Sequence, residues 1–137
     1  MNNPLKNTDF ALLLLRLTIG GLMLLHGIHK VQQGTSSIEG MFEAKGLPGK
    51  LALAVYLGEV VAPLLLLIGF LTRPAGLLVA GTMAVSIWLA YGGDALGLTK
   101  HGGLVIELNV LYMAGGLALA LTGGGRFSVG RGEGRWS

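Results

Sequence analysis

The chain has 137 residues, 52% hydrophobic and 12% charged, with 24 glycines, no cysteine and a formal net charge of +3. The charged share is about half that of soluble proteins, too little to solvate a globule of this size, and the length allows one domain. The excess cations fall in loops and the tail, which argues against nucleic acid as a partner, and the lack of cysteine excludes thiol redox chemistry, iron–sulfur ligation and covalent c-type haem attachment.

The polar lead from Met1 to Asp9 holds Pro4 and Lys6, and Thr8 or Asp9 is the expected cap of the first helix. Phe10 to Lys30 is an apolar helix long enough to cross a membrane, yet it carries Arg16 inside the run and His26, His29 and Lys30 at its far end. Lys6 before an apolar run suggests a secretory signal, but Arg16 and the lack of a small-residue cleavage site argue against removal. Arg16, Gly20, Met23, Gly27 and Lys30 recur every three or four residues and share one face. Glycines on such a face read first as packing positions that let a neighbouring helix approach.

Lys30 to Lys50 is the one long loop. Ser36 with Glu39 resembles a capping box, and Ile38, Met41 and Phe42 form an apolar stripe before Gly46 and Pro48. The pattern predicts a short amphipathic helix on the membrane surface, with a lid over a pocket as the alternative. Leu51 to Leu71 is the second apolar segment, with Glu59 and Pro63 inside it. Proline four residues after the glutamate leaves the Glu59 carbonyl without its helical partner and bends the helix. Thr72-Arg73-Pro74 reads as a tight connection, and Ala75 to Tyr91 as a third segment with Thr82 and Ser86 inside and Trp88 and Tyr91 as interface anchors. After a glycine-rich loop holding Asp94, Lys100 and His101, Leu104 to Leu121 is the fourth, with Glu107, Asn109 and Tyr112 in its first half. The tail from Thr122 is rich in glycine and arginine.

The expected fold is all-α: a four-transmembrane-helix bundle with a short amphipathic helix in the first loop and spans at 10–29, 51–71, 75–91 and 104–121. With both termini cytoplasmic, the inner side holds Lys6, Arg73, Arg126, Arg131 and Arg135, and the outer loops hold Lys30, Lys45, Lys50 and Lys100. That balance favours both termini inside. At about 1.5 Å of rise per residue, His26, Glu59 and Glu107 fall at one depth in the outer half of the membrane, Lys30 and His101 just outside it, and Arg16 a turn or more deeper. Ionisable groups inside spans are costly and mark functional sites by default. His26, Glu59 and Glu107 are therefore the candidate proton or ligand layer, with Arg16, Lys30 and Tyr112 as head-group or ion-pair candidates. The plain structural alternatives are carboxylates neutralised to fix helix register, interfacial histidines with satisfied hydrogen bonds, and a snorkelling Arg16. No metal-ligand spacing is present, and nothing in the placement of His26 and His101 is specific for haem.

Three stretches, LLRLTIGGLMLLHGIHK (14–30), YLGEVVAPLLLLIGFLTRPAG (56–76) and GGGRFSV (123–129), resemble the DoxX family of small four-span membrane proteins. The matching positions are Arg16, His26, Gly27, Lys30, Glu59, Gly69 and Thr72-Arg73-Pro74. The tail departs from the family's ending, which has an acidic residue after a Ser-hydrophobic pair; here Ser128-Val129 is followed by Gly130. The resemblance implies a redox-associated subunit in the inner membrane of a prokaryote, linked to quinone and served by a redox partner protein, since this chain encodes no electron carrier. Arg16, His26, Glu59 and Tyr112 could supply the hydrogen bonds and proton path that a quinone needs. The alternatives are a non-catalytic membrane scaffold or assembly factor, whose charges only specify helix pairing, and a small transporter that works as a homo-oligomer in the lipid bilayer.

Overall fold

The computed structural model describes residues 7–137, so Pro4 and Lys6 lie outside the described residues. Five α-helices form: α1 (Thr8–Gln33), α2 (Ser36–Ala44), α3 (Ala62–Ile68), α4 (Thr72–Ala90) and α5 (Glu107–Thr122), with no β-strand among the described residues. Among the described residues three helical runs are long and apolar enough to cross a membrane: Thr8–Gln33, Gly49–Ile68 and Thr72–Ala90. The 16 residues of α5 rise about 24 Å, short of the roughly 30 Å of a hydrocarbon core. The core is Ile19, Met23, Ala62, Leu66, Ala75, Val79, Met83, Tyr112 and Leu119. Around it large apolar side chains such as Leu14, Leu25, Leu64, Leu77 and Leu111 face outward, which suits lipid and not water.

Asn7, not Thr8 or Asp9, caps α1: its side chain accepts the Phe10 N–H at 3.0 Å. Asp9 instead accepts the backbone N–H of Arg126 in the tail, at 2.9 Å. The buried row of α1 is Arg16, Ile19, Gly20, Met23 and Gly27, close to the face read from spacing. The cap of α2 lies one residue earlier than expected, at Thr35, whose hydroxyl donates to the Glu39 carboxylate at 3.1 Å.

The second apolar run is not one regular helix. It opens as a 3₁₀ segment, Gly49–Ala54, widens into a π turn, Leu57–Val61, and continues as α3. Pro63 is the physical cause, because it has no N–H to offer the Glu59 carbonyl and the chain relaxes to the wider turn. The Ala62 N–H bonds to the Leu57 carbonyl, five residues back. Gly27 of α1 packs on the freed Glu59 carbonyl, where a Cβ would collide with it and with Val60. The run stops at Gly69, left-handed with φ 72°, where the N–H groups of Gly69 and Phe70 bond to the Leu65 carbonyl at 2.9 and 3.0 Å. The helical run therefore ends at Ile68, three residues before Leu71. Thr72-Arg73-Pro74 is the first turn of α4 and not the connection, since proline is tolerated there. The fourth helix likewise starts at Glu107 instead of Leu104.

Helices α4 and α5 meet through Gly76 and Gly116, each of which would meet the other's carbonyl if it carried a Cβ. The α1–π-turn contact is as close, and it carries a direct prediction. Gly27→Leu should lose roughly 1–3 kcal/mol by overpacking, while Gly21→Leu, with nothing within 4 Å of its added Cβ, should match the wild type. Thermal unfolding in detergent compares the two; equal stability of both variants would refute the contact.

Candidate functional site

At the loop end of the bundle the ammonium of Lys30, near the end of α1, forms an ion pair with the Glu59 carboxylate in the π turn. The Glu59 side chain is only 7% exposed and that of Lys30 23%. The π turn and Gly27 make the pair reachable, because they bring α1 onto the backbone of Glu59 itself. The Tyr56 hydroxyl donates to the Lys30 carbonyl at 3.2 Å and holds the end of α1 to the same segment.

Two cavities meet at this pair. A polar chamber of about 230 Å³ is lined by Met23, His26, Lys30, Glu59, Asn109 and Tyr112, together with Met83, Ser86, Tyr91 and Leu108. An apolar groove of about 860 Å³, within the size range of ligand pockets, runs between α2, the 3₁₀ segment and α4. Lys30, Glu59 and Ser86 line both. In the chamber the His26 and Tyr112 rings stand edge to face, centroids 6.0 Å apart and planes at 89°. Asn109 Nδ2 donates to the Ser86 hydroxyl at 3.3 Å. The walls thus offer hydrogen-bond donors on Lys30, Tyr112 and His26, and two groups able to exchange protons, Glu59 and His26.

Of the candidate residues read from the sequence, the structure brings His26, Glu59, Lys30 and Tyr112 together. Glu107 does not join them. It is exposed as the first residue of α5, where an acid suits the positive end of the helix dipole. His29 and His101 are exposed and line neither cavity. Among the described residues no three His, Cys, Asp or Glu side chains gather as a metal site. Ser86, Tyr91 and Asn109 complete the chamber, although the sequence does not mark them as site residues; the available signal is a serine and an asparagine inside apolar helices, where each needs a partner.

Arg16 belongs to the opposite end. It is 1% exposed, and its guanidinium is spent on main-chain carbonyls: Gly124 at 3.1 Å, Leu66 at 2.9 Å, Leu67 at 3.3 Å, and Phe127. It caps the C-terminus of α3 and ties the tail to it, a use that fits a planar fork of five donors. The tail is held further by the N–H groups of Val129 and Gly130 on the carbonyls of Ile68 and Gly69, at 3.1 and 3.0 Å.

The family model described as DoxX matches residues 11–92. The inner membrane protein YqjF of Escherichia coli (strain K12) is 32% identical over 126 residues, which is 92% of this chain and 94% of that protein. No solved structure matches.

The Arg16 clamp generates a prediction. Arg16→Met strands buried carbonyls, at roughly 1–3 kcal/mol for each group left unsatisfied. The variant should melt earlier in detergent and its tail should be cut by trypsin at Arg126 and Arg131 faster than in the wild type. Arg16→Lys should rescue little, since one ammonium cannot span the four carbonyls. Full stability of Arg16→Lys, with a trypsin-resistant tail, would contradict the clamp.

Proposed function

The chain belongs to the DoxX family and is an integral membrane protein, and from that premise we propose that it is a redox-associated subunit whose chamber receives the head of a quinone. It crosses the membrane four times in this reading. Support comes from the exposed apolar face of α5, with Leu108, Leu111, Leu117 and Leu121 outward, and from the apolar residues Leu104 and Val105 that precede it. The amphipathic α2 lies at the outer surface. Both termini face the cytoplasm, supported by the arginines of the tail and Arg73, and the membrane is the inner one of a prokaryote, as the name of the Escherichia coli relative suggests.

The observation that carries the proposal is the Lys30–Glu59 pair in the chamber wall beside His26, Asn109 and Tyr112. A quinone head needs donors to its carbonyls and a proton source in an apolar setting. Tyr112 is placed to donate, and Glu59 and His26 to hand on protons, while the Asn109 amide is held by Ser86 and Met83. Electrons come from a partner protein. The scaffold reading has one observation in its favour, since Arg16 is wholly engaged with its own chain.

One variant separates the two. Glu59→Gln keeps size and hydrogen bonding but removes the proton site. It should leave the protein folded, though less stable because Lys30 loses its counter-charge, and lower activity in a cellular complementation assay by about 10²-fold or more, the usual weight of a positioned acid or base. The wild type, purified gently, should carry an extractable quinone with its ultraviolet band. Full activity of Glu59→Gln, with no quinone in the extract, would favour the scaffold.

A further inference from the structure

Beyond the head-group chamber, we propose that the groove along α4 seats a single long hydrocarbon chain of an electrically neutral membrane amphiphile, which enters sideways from the bilayer. This rests on the chamber being a head-group site and adds the place where the chain of the bound molecule lies. Pro74, Leu78, Gly81, Val85 and Leu89 recur every three or four residues and form one wall of the groove. From Pro74 to Leu89 that wall runs about 22 Å along the helix. This exceeds the roughly 15 Å depth of one leaflet's hydrocarbon, so the groove is longer than an acyl chain of one leaflet requires.

The opposite wall is the apolar stripe of α2, Ile38, Met41 and Phe42, followed by the 3₁₀ segment. Beyond the α2 stripe, Lys45 sits over the Trp88 ring, 4.7 Å from its centroid, and ties the end of α2 to the loop end of α4. Leu77, Leu78 and Val85 remain exposed, so the way in is lateral, between α2 and α4. Gly81 widens the middle of the wall: a Cβ added there would have nothing within 4 Å.

Charge decides the kind of head. Among the described residues Lys30 is the one Lys or Arg lining either cavity, and Glu59 already neutralises it. A phosphate or a fatty carboxylate would find no lysine or arginine free of a partner there and would face the Glu59 carboxylate at close range, which disfavours it. A neutral head with hydrogen-bonding oxygens, on a single chain, meets no such penalty.

The test places a photoreactive benzoylphenylalanine at Leu78, inside the groove, or at Ala84, exposed on α4 and outside it. Both proteins are irradiated in native membranes and the adducts identified by mass spectrometry. The expected result is a neutral single-chain amphiphile on the Leu78 probe and only diacyl phospholipid on the Ala84 probe. Gly81→Phe, which fills the open space, should cut the Leu78 adduct by about tenfold, with Gly81→Leu as the milder filler should the larger one fail to fold. Phospholipid or no adduct at Leu78, or an adduct that a folded filler variant leaves unchanged, overturns the proposal. A neutral single-chain adduct with a head that cannot be reduced upholds the groove and removes the quinone reading.

Discussion

A lysine and a glutamate can be drawn into an apolar bundle only together, because each alone would meet a desolvation cost of several kcal/mol. The Lys30–Glu59 pair depends on three local features. Pro63 withholds an N–H and opens the π turn, the turn frees the Glu59 carbonyl, and Gly27 gives α1 room to lie against it. The same features leave space behind the pair, where the chamber and the groove meet. Remove the proline or fill the glycine and the pair, the chamber and the groove are affected at once.

The two ends of the bundle use charge differently. At the tail end two arginines close helix C-termini: Arg16 on the last carbonyls of α3, and Arg73 on those of α5, donating to Ala120 and Leu121 at 3.0 and 2.6 Å. Arg16 spends its guanidinium on the backbone and Arg73 gives one nitrogen to it, and the tail is folded against them. At the loop end the pair lines two cavities, and histidine and tyrosine side chains stand beside it. A rigid base with a more open upper chamber is what a ligand site on a small bundle requires.

Much of this architecture is legible in the chain. The heptad-like face of α1, the break at Pro63 and the apolar helices come from spacing and from the missing proline N–H. The polar layer is legible only in part. Depth alone puts Lys30 outside the layer and Glu107 within it, and both placements change for identifiable reasons. A lysine on a helix leans toward the N-terminus and has a long stem, so Lys30 reaches back to Glu59. Glu107 opens its helix instead of sitting inside it, because the turn before α5 runs on through Ile106. The caps at Asn7 and Thr35 and the turn at Gly69 lie one to three residues from their expected positions, since several neighbouring side chains could cap equally well and the tail contacts that select among turns are far away in sequence. Arg16 points to a partner, but no pattern in the sequence indicates that the partner is main chain brought from residues 124 and 127.

The central claim is that Lys30 and Glu59 are one desolvated unit, and a double-mutant cycle measures it most directly. Unfolding of the wild type, Lys30→Met, Glu59→Leu and the double variant would be followed in one detergent. Each single variant strands a buried charge and should lose roughly 3–5 kcal/mol, while the double variant should lose far less than the sum. Single losses that simply add in the double variant would contradict the account.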